Sequence, residues 1–170
     1  MRKFLDGLYS ASGWLAGLCM ILVLVMVTWM IVGRLLGLPV GGSDAYAGYA
    51  MAGSGFLALA STLKKGEHIR VTLVLGLLHG KGKRMLELAA LLVAVLLSAF
   101  LAFYSARLVW QSWSFQDIST GIDATPLWIP QILMAVGTLV FFIAFLDEFY
   151  LELQGKRAAT PETEEELHYE

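Results

Sequence analysis

The sequence predicts an all-helical membrane protein, with four spanning helices and a short interfacial helix between the second and third. Three observations carry that expectation. Of the 170 residues, 58% are hydrophobic and 15% charged, with a mean hydropathy of +0.69, far too apolar for an ordinary soluble domain of this size. Four runs hold no charge: 7–33, 45–63, 88–106 and 124–146. A helix that crosses a hydrocarbon layer about 30 Å thick needs about 20 such residues, and one charge at mid-span costs about 2.5–3.5 kcal/mol. Finally, the cations are sorted. Lys64, Lys65, Arg70, Lys81, Lys83 and Arg84 stand together with a single acid, Glu67, between two apolar runs. A cationic loop of this kind is retained on the cytoplasmic side.

The expected spans are about 10–33, 45–63, 85–108 and 126–147. The first follows Arg2 and Lys3 and is nearly twice the length of a signal-peptide core, so it reads as a retained helix. Trp14 and Trp29 lie toward its ends as interfacial anchors. Pro39, Gly41 and Gly42 stop it, and Ser43 or Asp44 can cap the second helix. That second span differs in composition. It is rich in Gly and Ala, and Ala50, Ser54 and Ala58 recur every four residues on one face, flanked by Gly48 and Gly55. Small side chains permit close helix contact, which in lipid replaces the hydrophobic effect. The face is therefore a packing surface toward this chain's own helices or toward a second membrane protein.

After Lys65, residues 69–79 are apolar but too short to cross, which suits a segment lying along the inner surface, with Lys81, Lys83 and Arg84 at the lipid phosphates. Anionic membrane lipids are thus an expected partner. The third span ends near Arg107, and Tyr104, Trp110, Trp113 and Phe115 form an outer aromatic belt, joined by Trp128 and Pro130 at the start of the fourth. Thr125 before Pro126 suits a helix start, and Pro130 offers a second one. Asp147, Glu148 and Glu152 mark the exit, and 156–170 reads as an acidic disordered cytoplasmic tail. With the N-terminus inside, ten of the 12 Lys and Arg fall on the cytoplasmic side, leaving Arg34 and Arg107 outside. Both termini are expected in the cytoplasm.

The chemistry expected is sparse. A net charge of −2 argues against nucleic acid. One cysteine, Cys19, excludes an internal disulfide and a cysteine-built metal site. The histidines, His68, His79 and His168, lie outside the spans, so a haem has no axial ligands there. No catalytic residue, metal or cofactor is expected, and the chain reads as a helper whose permeation site lies on another protein.

The run Leu63-Lys64-Lys65-Gly66-Glu67-His68-Ile69-Arg70-Val71, following a small-residue helix, resembles the signature of the DctQ-type small membrane subunit of tripartite ATP-independent periplasmic (TRAP) transporters. Thr125-Pro126-Leu127-Trp128-Ile129-Pro130-Gln131, with Met134 and Gly137, looks like the start of that family's last helix. Where many members carry Trp and acids before the second helix, this chain has Gly42-Ser43-Asp44. The resemblance covers about residues 1–155, and its motif falls on Gly66, His68, Ile69 and Val71. It implies a non-catalytic scaffold subunit in the bacterial inner membrane. Its partners would be a large membrane subunit holding the substrate and sodium sites and a periplasmic binding protein that captures an organic acid such as a dicarboxylate. Lys64, Lys65, Gly66, His68, Ile69, Arg70 and Val71 would lie at the cytoplasmic interface, with His68 and Arg70 as headgroup anchors or as contacts to the partner or a lipid. A membrane anchor of a redox complex is the alternative.

Overall fold

The computed structural model describes residues 2–65 and 81–154. The expected interfacial segment at 69–79, the motif residues Gly66, His68, Ile69, Arg70 and Val71, and the tail at 156–170 lie outside the described residues. Among those described, four helices form: α1 (Arg2–Leu35), α2 (Ser43–Lys64), α3 (Lys81–Ser114) and α4 (Trp128–Leu153). Three of them are long and apolar enough to cross a membrane, over Phe4–Leu35, Arg84–Ser114 and Trp128–Leu153.

The second expected span does form a helix, of 22 residues, about 33 Å at 1.5 Å per residue. It falls short of the other three in apolarity because Gly, Ala, Ser and Thr occupy places that lipid contact would give to Leu or Val. Its position explains that composition. Helix α1 packs along α2, α2 along α4, and α4 along α3, while α1 meets α4 only slightly. The helices thus stand in the order α1–α2–α4–α3, with α2 inside the row. Ala47, Ala50, Gly53, Ser54, Leu57 and Ala60 are buried along it.

Two small core clusters hold α2 in place. Near one end, Tyr9 packs with Ala60, Val140 and Ala144; further along, Ala16, Cys19 and Leu57 meet with Ala58 and Leu133 against them. The contact with α4 is backbone to backbone. A Cβ at Gly137 would lie 2.6 Å from the carbonyl carbon and oxygen of Phe56 and 2.9 Å from the amide nitrogen of Leu57. Only glycine permits that approach without separating the helices. Helix α3 joins the row through a seam at seven-residue spacing, Leu91, Ser98, Ser105 and Ser112, with Ala102 between, all buried. A heptad repeat of small residues keeps one face of a helix on its neighbour along its whole length.

Two helix starts differ from the sequence expectation. Helix α2 is preceded by Gly42 in the left-handed conformation (φ 85°), with no side-chain cap, so Ser43 and Asp44 fall inside the first turn. A side chain at Gly42 would be strained, and its Cβ would stand 3.3 Å from that of Asp123. Helix α4 begins at Trp128, between the two proline starts considered above. Thr125 and Pro126 belong to the preceding loop, where Pro126 bridges to Ile118. Pro130 sits in the first helical turn, where its missing N–H leaves no bond unmade.

Replacing Gly137 with Ala should destabilise the purified protein by about 1–3 kcal/mol, the usual penalty of overpacking. Gly48→Ala, with nothing within 4 Å of the added carbon, should leave stability unchanged or slightly improved. Thermal unfolding in detergent followed by circular dichroism distinguishes the two; equal midpoints would refute the close α2–α4 contact.

Candidate functional site

Lys64 is the last residue of α2 and the first cation of the basic stretch. Its ammonium donates to Asp147 Oδ2 and, at 3.1 Å, to Glu148 Oε1, both on α4. The same ammonium lies 5.1 Å from the centroid of the Tyr9 ring on α1, within range of a cation–π attraction. One cation therefore ties three helices together at one end of the row. All three charged side chains are largely buried, with 21%, 16% and 12% of side-chain surface exposed for Lys64, Asp147 and Glu148. Removing one partner from such a cluster leaves charge poorly solvated, which costs more than the intact pair gains. At the same end, Arg84 Nη2 on α3 donates to the Leu153 carbonyl at the close of α4, 3.1 Å away. A cation at a helix C-terminus also meets the negative end of its dipole.

The opposite end is fastened by neutral and acidic groups. The loop 115–127 folds back on itself: Asp117 N–H donates to Ser112 O at 3.0 Å, Leu127 N–H to Asp117 O at 3.0 Å, and Ser119 N–H to Thr125 O at 2.8 Å. Gln116 and Ala124 adopt positive φ, 55° and 46°, where non-glycine residues are uncommon. Asp123 is the hub. Its carboxylate accepts from the Ser119 hydroxyl at 2.8 Å and from the Tyr49 hydroxyl of α2 at 3.0 Å. One turn away, the hydroxyls of Thr125 and Tyr46 are hydrogen-bonded at 3.1 Å. Partial desolvation pushes the Asp123 carboxyl up, but hydrogen bonds from Thr125, Ser119 and Tyr49 outweigh it and hold the group below the usual carboxylate range.

The residues singled out in the sequence separate into several groups. Lys64 is in the ion cluster, whereas Lys65 is exposed. Along α2, Ala50 and Ser54 are buried within this chain and Ala58 is half-buried, while Gly48 and Gly55 are exposed. Trp113 and Trp128 meet edge to face with centroids 4.8 Å apart, Trp110 is exposed, and Pro130 is half-buried. Sequence reasoning missed the pairing of Lys64 with Asp147 and Glu148. The signal was available, since both ends had been placed on one side of the membrane. Tyr46, Tyr49 and Asp123 had no comparable signal, because their partnership depends on a loop closing back over α2.

Lys64→Met should lower stability by about 1–3 kcal/mol. The triple variant Lys64→Met, Asp147→Asn, Glu148→Gln should recover much of the loss; a triple variant no better than the single one would show that the ion cluster is not what holds this end. For Asp123, a depressed folded-state value means that the stabilisation is complete above the ordinary carboxylate range, near 3.9, and fades as the pH falls through the lower folded value. Protection of the loop amides, taken relative to intrinsic exchange at the same pH, should therefore be full at pH 5 and fall only below the ordinary range, while Asp123→Asn is less protected at pH 5 and converges with the wild type as Asp123 becomes protonated. Equal protection of the two proteins at pH 5 would contradict this.

Comparison with known protein families finds one that matches residues 23–155: tripartite ATP-independent periplasmic transporters, DctQ component. No curated protein matches the chain significantly. The matched span runs from the middle of α1 through α2, α3 and all of α4. The redox-anchor alternative gains no support from it. DctQ components are small membrane subunits that work with a large DctM membrane subunit and a substrate-binding protein. Three helices apolar enough to cross a membrane, a fourth, small-residue helix packed between two of them, and the Lys64 motif at its end all agree with the match, and the chain belongs to the DctQ family of TRAP transporter small membrane subunits.

Proposed function

We propose that the chain is a non-catalytic brace for a sodium-coupled TRAP transporter that imports an organic acid, for example a dicarboxylate, across the bacterial inner membrane. The observation that carries this reading is the fastening of α2 at both ends, to α4 at one and to the loop that leads into α4 at the other. Lys64 with Asp147 and Glu148 closes one end, Tyr49 with Asp123 closes the other, and Gly137 against Phe56 joins the middle. A pair held at both ends and the centre resists shear, which suits a part that stays still while a partner moves.

In this reading α2 is a fourth span, and both termini are cytoplasmic, because that arrangement retains most of the Lys and Arg inside. The side of α2 left open carries Gly48, Met51, Ala52 and Gly55, all exposed. Small residues on an open helix face let another helix approach closely, so this side is assigned to a helix of the large subunit. Ala50, Ser54 and Ala58 support that surface from within rather than forming it. The motif residues Lys65, Gly66, His68, Ile69, Arg70 and Val71 are assigned to the cytoplasmic surface at lipid headgroups or the partner, and Trp110, Trp113, Trp128 and Pro130 to the outer interface.

Gly48→Leu with Gly55→Leu should cut recovery of the tagged large subunit by about tenfold, the effect of about 1.4 kcal/mol, without lowering the thermal stability of the isolated chain. Uptake of the binding protein's ligand should fall with it. Full recovery of the large subunit would remove that side of α2 as the contact. In the same strain, a reporter fused at Ser119 should read as periplasmic; a cytoplasmic reading would reverse the proposed sidedness.

A further inference from the structure

Helix α1 extends well past its packed region. Its buried contacts with α2 and α4 are at Tyr9, Ala16 and Cys19, and beyond them only Gly33 is buried. In that outer stretch lies a shallow trough of about 240 Å³, lined by Val27, Met30, Ile31, Arg34 and Leu35. The spacing i, i+3, i+4, i+7, i+8 puts these residues on one side of the helix, over about 12 Å of its length. No residue of another described helix lines it. Four apolar side chains lead to a single polar group, the Arg34 guanidinium, in the last turn of α1.

Arg34 makes no ion pair among the described residues. The negative end of the helix dipole favours a cation there, which places the guanidinium without using up its donors. The lining contains a cation and no acid, so its charge calls for an anion. Its shape calls for a hydrocarbon chain running along the helix axis beneath that anion. A guanidinium presents a planar fork of donors that matches phosphate oxygens in pairs.

We propose that this trough holds a membrane phospholipid, its acyl chain along Val27, Met30, Ile31 and Leu35 and its phosphate on Arg34. The lipid fills the side of α1 that protein leaves bare and pins the outer half of a long helix to the headgroup layer. This assignment does not depend on which substrate the transporter carries, and it requires that the large subunit leave this side of α1 uncovered.

Native mass spectrometry of the purified full-length chain tests it, with dioleoyl phosphatidylglycerol, dioleoylglycerol and glycerol phosphate as the three probes. The wild type and Arg107→Gln should retain phosphatidylglycerol about tenfold better than Arg34→Gln, the scale of one charge-assisted contact. Arg34→Lys should fall between. Dioleoylglycerol, which has the chains without the phosphate, and glycerol phosphate, which has the phosphate without the chains, should both bind poorly to every variant. Equal retention by Arg34→Gln would overturn the proposal, as would dioleoylglycerol or glycerol phosphate binding as well as the phospholipid. It also fails if Arg34→Gln keeps its lipid but loses the large subunit, because the trough would then be a protein contact. Matching helical content in the variants excludes misfolding as the cause of any loss.

Discussion

The structure depends on how closely α2 approaches α4. With Gly137 against the Phe56 carbonyl, the two helices meet at backbone distance, and that contact dictates what surrounds it. Side chains along the seam must be small, hence Gly53, Ala60, Thr138 and Ala144, all buried. In a bilayer the apolar effect gives no reason for two helices to associate, so van der Waals fit has to supply it, and fit of this kind requires small residues. The composition of α2 is thus a consequence of its place inside the row. Its small residues Ala47, Ala50, Gly53, Ser54 and Ala60 are those buried against its neighbours.

From that seam the two ends can be understood as locks of different chemistry. Near Lys64, charge does the fastening, in a largely buried setting where an ammonium shared by two carboxylates is better satisfied than any of them alone. Near Asp123, hydroxyls and a depressed carboxylate do it, over a loop whose Gln116 and Ala124 hold left-handed backbone. Strain of that sort persists only where surrounding bonds over-determine the loop, and here the hydrogen bonds to Tyr49 and Ser119 do so. A membrane subunit locked at both ends suits service as a fixed frame for a moving partner.

Much of this architecture was legible from residue order. Long charge-free runs bounded by Asp, Glu, Lys or Arg marked all four helices as spans, because the cost of a buried charge is large enough to leave its trace in composition, and α1, α3 and α4 have the length and apolarity to cross a membrane. The motif beginning at Lys64 pointed to the DctQ family. The orientation of α2 was not legible. With Gly, Ala and Ser on every side, its helical period carries little contrast, so Ala50 and Ser54 looked as available to a partner as Gly48 and Gly55. The start of α4 was hidden for a different reason. Thr125 has the chemistry of a cap, but Tyr46, 79 positions away in sequence, takes its hydroxyl. Long-range partners of this kind leave no local pattern.

The order of helices in the row is the central claim, and disulfide trapping in native membranes tests it most directly. In a background of Cys19→Ala, cysteines at Gly53 and Leu133 should cross-link readily, since a Cβ at position 53 lies 3.3 Å from that of Leu133, close to the separation a disulfide needs. Cysteines at Ala16 of α1 and Ala102 of α3 should remain reduced, because α2 and α4 stand between them. Efficient bonding of 16 to 102, with none between 53 and 133, would mean that the row is wrong and the brace with it.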